Sequence, residues 1–266
     1  MHAPSLAGLC SHMSVERSDW LTLSQTLRSS SVDLLYVDPP FNTGKSQRTP
    51  VRAQAAKQRR GTLARHTAYA DAWPTMLDYT TWLRERLLAT LPAIKPSGNV
   101  LIHCDWRASH HIRLLLDDVL GPDRFINHLI WSYGLGGSSP RCFARKHDDI
   151  LFYCIDPRHA YFLAPRVPAT SRRLKGKTKK ATDVLDIASI NNLSRERTGY
   201  PTQPPLALLE LLVDACCPPA GLVLDPCCGS GTTLVAARKL GRQHIGCDIN
   251  PAAVTVARKR LANTSA

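Results

Sequence analysis

The tetrapeptide Asp38-Pro39-Pro40-Phe41 has the residue types that a site for a planar amine requires. It ends an apolar run, residues 31–38, that is typical of a buried strand stopping abruptly at two prolines. The stiff backbone fixes the directions of the Asp38 carboxylate and the Pro39 carbonyl, and two fixed acceptors can hold both hydrogens of one NH2 group. Such contacts free the lone pair of a nucleobase amine for attack on a methyl group, while Phe41 offers a ring for base stacking. A plain turn is the alternative interpretation.

A second candidate site is the glycine-rich turn that runs from Asp225 to Thr233 after a short apolar strand. Gly229 and Gly231 allow backbone conformations and close approaches that a side chain would block. Seventeen residues after Gly231, Asp248 ends the next predicted strand, where a carboxylate can bind the two hydroxyls of a ribose. The third glycine of a dinucleotide site is missing, and Asp225 at the mouth of the turn suits a cationic amino-acid group, such as that of S-adenosylmethionine. A purely structural turn is the alternative.

The elements that must position these residues alternate between strands and helices. Apolar residues recur at helical spacing in the ranges 76–91, 112–120, 206–216, 232–240 and 251–261. Short apolar runs predict strands at 99–103, 125–131, 150–154, 222–225 and 244–248, the first of them preceded by a turn at 96–98. This alternation predicts an α/β fold with an open, mostly parallel sheet and helices on both faces. Ligands of such sheets lie beyond the carboxyl ends of the strands.

Composition limits the class of protein. The chain has 266 residues, 44% of them hydrophobic and 21% charged, and no apolar run long enough to span a bilayer. We therefore expect one globular domain over residues 1–266, no membrane partner and no secretory signal. Nine scattered cysteines without CxxC pairs are typical of reduced thiols in a cytoplasmic protein, and the doublets 216–217 and 227–228 are better explained as buried side chains than as a metal site. No metal is expected.

Positive charge is concentrated in two segments. The formal net charge is +13, yet residues 45–65 contain seven Lys or Arg and residues 157–182 contain eight, with no acid in either segment. Both segments lack apolar periodicity and predict loops that could neutralise phosphates. A solvated basic surface is the alternative for each one taken alone.

The order of these motifs resembles that of a bacterial amino-group DNA methyltransferase of the beta arrangement, in which the catalytic motif precedes the cofactor motif. The resemblance rests on SVDLLYVDPPFNTG (31–44), PSGNVLIHCD (96–105), the segment 130–153, RERTGYPTQP (195–204) and the segment 222–260 with LDPCCGSGTT and IGCDIN. Matching segments span most of residues 15–262 outside the two basic segments. The resemblance implies a Rossmann-like fold for binding S-adenosylmethionine with a circularly permuted motif order.

Roles for individual residues follow from this resemblance. The catalytic residues are Asp38, Pro39, Pro40 and Phe41. The cofactor-binding residues are Asp19, Asp38, Thr202, Gln203, Asp225, Gly229, Ser230, Gly231, Thr232 and Asp248. Two departures from the family pattern are Trp20 beside Asp19, and Pro204 where the family usually has Lys after Gln.

The basic segments are expected to face double-stranded DNA. By resemblance, residues 44–72 form a basic loop next to the base pocket that closes over a flipped nucleotide, and residues 157–195 form a short target-recognition region. The candidate phosphate contacts are Lys45, Arg48, Arg52, Arg172, Arg173, Lys175 and Lys177. The resemblance also implies a nucleoid-associated enzyme, with a cognate restriction endonuclease and a second copy of the chain as candidate partners.

The resulting functional hypothesis is methyl transfer from S-adenosylmethionine to the N6 amine of adenine in a flipped-out base. Asp38 resembles the adenine version of the motif, whereas the N4-cytosine version more often has Ser there; N4-cytosine transfer by the same mechanism is the alternative. Methylation at cytosine C5 needs a thiolate nucleophile, and Cys227 lies in the cofactor turn instead. An RNA methyltransferase, an inactive DNA-binding module and a nucleotide-dependent oxidoreductase are less well supported, because the motifs are intact and neither an RNA-binding module nor a third glycine is present.

Overall fold

The computed structural model describes residues 13–49, 66–134, 138–169, 171–191 and 193–265. Eight strands form the main sheet, in the spatial order β1 (Met13–Arg17), β12 (Gln243–Asp248), β11 (Leu222–Asp225), β2 (Val32–Val37), β5 (Ile94–Cys104), β7 (His147–Cys154), β6 (Phe125–Ser132) and β10 (Val184–Asp186). Strand β7 runs antiparallel to β5 and β6, and the other neighbours in this sheet are parallel. The predicted α/β class with a mostly parallel sheet is confirmed.

Six α-helices flank the sheet: α1 (Trp20–Ser24), α2 (Met76–Thr90), α3 (Ser109–Leu120), α4 (Leu206–Cys216), α5 (Thr232–Lys239) and α6 (Pro251–Ala262). Helices α1 to α3 share one apolar core, α4 and α5 share the core on the opposite face, and α6 packs with α5 against β1. Strand β2 is buried along its whole length because Leu35 faces the first core and Leu34 the second. None of the helices in the described ranges is long and apolar enough to cross a membrane.

The predicted turn at 96–98 lies inside a strand. Val32 of β2 pairs with Ile94 of β5, but Leu34 pairs with Asn99, so β5 carries extra residues as a bulge. A Cβ on Gly98 would lie 2.9 Å from the Lys95 carbonyl oxygen, which is why the bulge takes glycine. The predicted turn is therefore wrong: these residues are a bulge within β5, and the ladder continues on both sides of it.

Both basic segments contain strands where the sequence predicts loops. Strands β3 (Lys45–Thr49) and β4 (His66–Asp71) form an antiparallel pair, while residues 50–65 lie outside the described residues. In the second segment β8 (Arg166–Pro168) pairs with β9 (Thr178–Lys180), and the Arg166 guanidinium donates to the Thr178 hydroxyl at 2.8 Å. Strands β8 and β9 are largely exposed and are held by hydrogen bonds rather than by apolar burial, so the apolar pattern could not reveal them.

Candidate active site

The two candidate motifs meet because their strands are neighbours in the sheet. Strands β2 and β11 pair in parallel although nearly 190 residues separate them, so Asp38 and Asp225 leave the same edge of the sheet. A cavity of about 560 Å³ opens there, within the size range of small-molecule sites. Of the predicted catalytic and cofactor residues, all except Gly231 line it: Asp19, Asp38, Pro39, Pro40, Phe41, Thr202, Gln203, Asp225, Gly229, Ser230, Thr232 and Asp248.

Asp38 lies in an acidic and largely buried part of this cavity. One carboxylate oxygen lies 3.6 Å from Nδ1 of His103, and the Asp38 side chain is 21% exposed. Burial raises the pKa of Asp38 to about 6; the nearby His103 lowers it, and the carboxylates of Asp148 and Asp71 raise it further. Asp38 therefore loses its proton near pH 6. At neutral pH it is mainly the charged carboxylate, which can accept hydrogen bonds from an amine.

The chain after Phe41 is fixed by Asp71, at the end of β4. The buried Asp71 carboxylate accepts from the Asn42 amide at 2.6 Å and from the Thr43 hydroxyl, and its carbonyl accepts from the Gly44 amide at 2.9 Å. Asn42 has a left-handed backbone, with φ of 56°, and its side chain accepts from the Trp73 amide at 2.8 Å. Sequence reasoning assigned Asp71 only to a basic loop. Its contacts hold the turn that orients the tetrapeptide.

The glycine turn has a left-handed backbone at two glycines. The Gly229 amide donates to the Asp248 carboxylate at 2.9 Å, and a Cβ on Gly229, whose φ is 50°, would lie 3.3 Å from the Tyr200 ring. Gly231 has φ of 76°, and a Cβ there would lie 2.7 Å from the Cβ of Ala257 on α6. Gly229 thus lets Tyr200 pack against the turn, and Gly231 allows α5 and α6 to pack closely. The Asp248 carboxylate, which also accepts from the Asn250 amide at 2.8 Å, lines the cavity beside this turn.

Ser230 and Thr232 have partners inside the protein. The Arg260 guanidinium donates to the Ser230 hydroxyl at 3.1 Å, to the Ser230 carbonyl at 3.0 Å and to the Thr232 hydroxyl at 2.8 Å. Burial lowers the pKa of Arg260. Arg260 therefore fixes the turn from behind, a contribution that the sequence analysis did not assign.

The Gln203 side chain is also engaged within the protein. Its amide oxygen accepts from the Thr198 amide at 2.9 Å and from the Thr198 hydroxyl at 2.7 Å, and its nitrogen donates to the Glu196 carbonyl at 2.9 Å. Thr202 beside it has a left-handed backbone with φ of 56°. Gln203 holds the loop that forms one wall of the cavity.

Asp19 borders the far end of the cavity beside three tryptophans. Its carboxylate accepts from the Leu21 amide at 2.8 Å as the N-cap of α1, and from the Arg86 guanidinium at 3.0 Å. Trp20, Trp73 and Trp82 line the same region. This apolar surface with one carboxylate suits a flat heterocycle.

Acidic side chains dominate the titratable lining of the cavity. The described lining includes six aspartates, together with Arg86 and the imidazole of His103. Burial raises the pKa of Asp225 to about 7, with the Asp38 and Asp248 carboxylates adding to the shift while hydrogen bonds from Thr233 and Cys227 oppose it. A positively charged ligand would relieve this repulsion.

The two thiols of the turn, Cys227 half-buried and Cys228 buried, are poorly suited to act as nucleophiles. Burial raises the pKa of Cys227 and of Cys228 well above the usual thiol value, and nearby carboxylates such as Asp225 raise both further.

Two further cavity residues had no predicted role in catalysis, and Asp148 was interpreted from the sequence as structural. His103 and Asp148 line the cavity, and Nε2 of His103 lies 3.6 Å from the Asp148 carboxylate. The only sequence signal was the position of His103 at the end of a predicted strand. Because β7 is antiparallel, Asp148 reaches this edge from the start of its strand, which a sequence pattern does not show.

Of the predicted DNA contacts, the four on the second basic segment do not line the cavity. Arg172, Arg173, Lys175 and Lys177 are exposed at or near the β8–β9 pair. Lys45 and Arg48 belong to β3, and Arg52 lies outside the described residues.

Comparison with known families decides between the interpretations of this cavity. Residues 32–259 match the DNA methylase family whose members modify the N6 or N4 amino group of a base. The chain belongs to this DNA methylase family. It is thus an S-adenosylmethionine-dependent DNA amino-methyltransferase, and the resemblance noted from the motifs is confirmed.

Several named relatives of this DNA methylase are similar over most of its length. It is 27% identical to the Type II methyltransferase M.ScaI of Streptomyces caespitosus, over 91% of this chain and 79% of the relative. It is 25% identical to the DNA adenine methyltransferase YhdJ of Escherichia coli strain K12, over 91% of this chain and 80% of the relative.

Solved structures share its fold. The crystal structure of the M1.HpyAVI–SAM complex superposes with a TM-score of 0.62 at 22% identity, over 94% of this chain and 98% of that one. The PvuII DNA methyltransferase, named as cytosine-N4-specific, superposes with a TM-score of 0.69 at 16% identity, over 94% and 86%. At these identities the likeness concerns the fold.

Proposed function

We propose that this DNA methylase transfers a methyl group from S-adenosylmethionine to the N6 amine of an adenine flipped out of double-stranded DNA, with residues 1–266 acting as one catalytic domain. The observation that carries the proposal is that one cavity joins the tetrapeptide after β2 to the glycine turn after β11. The two strands are neighbours, so the methyl donor and the amine would meet at one edge of the sheet.

The cofactor half of the cavity is assigned to the glycine turn and its surroundings. S-adenosylmethionine supplies an electrophilic methyl group on a positively charged sulfur. Asp225 at the mouth of the turn would face the cationic amino-acid group, and Asp248 the ribose hydroxyls. The tryptophans beside Asp19 would enclose the adenine. The acidic lining of the cavity supports a cationic ligand.

The base half is assigned to the tetrapeptide. Asp38 and the Pro39 carbonyl would each accept a hydrogen bond from the target amine. These two hydrogen bonds would direct the nitrogen lone pair toward the methyl group of the cofactor. Phe41 would stack on the flipped base, a contact worth about 1–3 kcal/mol. Asp71 fixes the turn that follows, so the acceptors are in place before the base arrives. Proximity and orientation are thus this half-site's main contribution.

Adenine is favoured over cytosine by Asp38 and by the relative YhdJ, which is named as an adenine methyltransferase. Transfer to N4 of cytosine is the alternative, since its amine would make the same two hydrogen bonds. The structural neighbour from PvuII is named as cytosine-N4-specific and shares the fold at 16% identity.

The remaining contacts belong to DNA and to partner proteins. Residues 157–195 present exposed cations, among them Arg172 and Arg173, that would neutralise phosphates. Residues 44–72 would flank the base pocket because β4 ends at Asp71 in the cavity wall. The Type II naming of relatives supports a cognate restriction endonuclease as a partner, and the exposed face of α3 is our candidate for a homodimer contact.

Product analysis tests this proposal. The purified protein is incubated with methylation-free genomic DNA and labelled S-adenosylmethionine, and the DNA is digested to nucleosides for mass spectrometry. We expect N6-methyladenine. N4-methylcytosine would overturn the assignment of the base, and labelled RNA with unlabelled DNA in a mixed reaction would overturn the assignment of the substrate.

A further inference from the structure

His103 is a buried titratable residue to which the proposed chemistry gives no task. It lies in β5 beside β2, and the residue is 2% exposed. Its Nδ1 lies 3.1 Å from the Tyr36 hydroxyl and 3.6 Å from the Asp38 carboxylate. Its Nε2 has no hydrogen-bond partner, and the Asp148 carboxylate lies 3.6 Å from it. The ring thus lies between two carboxylates.

The ring is also in contact with the aromatic residues of the base half. The Phe41 ring meets it edge-on with centroids 5.4 Å apart, and the Trp131 ring does so at 5.7 Å. A shift of His103 would therefore displace both the carboxylate and the proposed stacking surface. A residue buried only for packing would not need a polar ring with an unsatisfied nitrogen here.

We propose that His103 is a positioning residue for methyl transfer, and that its imidazolium between Asp38 and Asp148 keeps the Asp38 carboxylate ionised and directed at the target amine. This inference rests on the proposed function. An imidazolium would donate from both nitrogens, which gives Nε2 a partner in Asp148 after a small movement. It also supplies the positive charge that a buried carboxylate needs.

The titratable groups around His103 favour its positively charged form. The groups facing it are Tyr36 and Asp38 on and after β2, and Asp148 and Asp149 of β7; Asp71 and Asp225 act on Asp38 and Tyr36 from the cavity wall. All are acids. Burial lowers the pKa of His103, but the surrounding carboxylates outweigh burial and raise it above the ordinary value. The protonated ring is the form that the site stabilises.

The test is the pH dependence of kcat for His103→Gln and His103→Asn, with methylation-free genomic DNA as substrate. Without the cation the pKa of Asp38 rises, so the acid limb of kcat should move up by about one pH unit from its wild-type position near 6. At pH 6.5 we expect kcat to fall about threefold and at pH 5 about tenfold, and at pH 9 we expect it to return close to the wild-type value. The dissociation constant of S-adenosylmethionine and the KM for DNA should change little.

His128→Gln is the matched control. His128 on β6 pairs with Asp149 at 2.7 Å but lies outside the cavity lining, so its acid limb should stay in place. An unshifted acid limb in both His103 variants, or an equal loss of kcat at every pH, would overturn the inference. Failure of the proposed function is distinguishable, because the wild-type protein itself would then not methylate DNA.

A separate observation concerns Phe143, whose side chain is 99% exposed. It belongs to the segment between β6 and β7, whose residues 133–146 contain three cations near Phe143 and no acid. The segment returns beside the cavity, since the Lys146 carbonyl accepts from the amide of Tyr133, which lines it. The Arg145 guanidinium lies 4.0 Å from the centroid of the Trp106 ring, which holds this side of the segment.

We infer that Phe143 is a wedge that enters the base stack of duplex DNA next to the flipped nucleotide, with Arg141 and Arg145 on the flanking phosphates. Apolar wedges of this kind unstack neighbouring bases, and extrusion of a base needs such unstacking. The inference also rests on the proposed function.

Truncation of the ring tests the wedge. Phe143→Ala should lower kcat/KM for duplex DNA about tenfold without changing the affinity for S-adenosylmethionine, and Phe143→Leu should stay within about threefold of wild type because leucine also wedges. Leu88→Ala, an exposed apolar residue toward the end of α2, is the control and should leave kcat/KM unchanged. Wild-type kcat/KM in Phe143→Ala, or equal losses in the Ala and Leu variants, would overturn the inference.

Discussion

Replacing Asp38 by asparagine should stabilise the protein while abolishing transfer. Burial raises the pKa of this carboxyl from 3.8 to about 6, so the folded state holds its proton more tightly than the unfolded chain does. Ionisation of the buried Asp38 therefore lowers the free energy of unfolding. This destabilisation is absent below about pH 4, where Asp38 is protonated in both states, and complete above about pH 7. A shift of roughly two pKa units corresponds to about 3 kcal/mol.

Asp38→Asn should thus raise the free energy of unfolding by at most about 3 kcal/mol at pH 8 and by almost nothing at pH 4. It is an upper limit because His103 loses the counter-charge that raises its own pKa. The assay is urea denaturation of wild type and variant across this pH range, read as the difference in the free energy of unfolding.

Asp156→Asn is a control for which the expected change in stability with pH has the opposite sign. Hydrogen bonds from Arg158 and His159 lower the pKa of the Asp156 carboxyl, so wild type should be the more stable form at pH 8 and lose that advantage on acidification. A stability difference for Asp38→Asn that does not grow with pH, or that favours wild type more at pH 8 than at pH 4, would refute the reasoning.

Three further predictions concern the turn and the DNA surface. Gly231→Ala should lower the free energy of unfolding in urea by about 2–5 kcal/mol, because the alanine adds left-handed strain and overpacks against α6. Gly241→Ala should show only the strain, since Gly241 has φ of 69° and a Cβ there would meet no atom within 4 Å. Equal losses in the two variants would contradict this reasoning. Arg260→Ala leaves the Ser230 and Thr232 hydroxyls with only their mutual hydrogen bond and removes the donor to the Ser230 carbonyl, so it should weaken binding of S-adenosylmethionine in calorimetry more than binding of DNA. Arg172→Ala with Arg173→Ala should reduce the salt slope of DNA binding by about two; an unchanged slope would place these residues away from phosphates.

The sequence predicted the regular part of the fold closely. Helix α4 and strand β11 have the predicted bounds, because uninterrupted apolar periodicity and short buried runs are set by local sequence. It also placed the two half-sites, since a polar residue at the end of a buried strand has few other positions in an α/β fold.

The sequence did not predict which residues distant along the chain come into contact. Asp71 and Arg260 support the site through partners about thirty residues away, and Asp148 reaches its more distant neighbour His103 from the start of an antiparallel strand. Ser230 and Thr232 were predicted as cofactor residues from their motif, yet their hydroxyls bind Arg260. A motif identifies the turn but not the direction of each side chain.

The division of labour between the two half-sites is the central claim, and one measurement tests it directly. The dissociation constant of S-adenosylmethionine and the rate of methyl transfer to DNA are determined for Asp38→Ala and Asp248→Ala. We expect Asp38→Ala to bind S-adenosylmethionine within about threefold of wild type and to transfer no methyl group, and Asp248→Ala to bind it at least about tenfold more weakly and to recover transfer at high cofactor concentration. The reverse pattern, with cofactor binding lost in Asp38→Ala and retained in Asp248→Ala, would contradict the account.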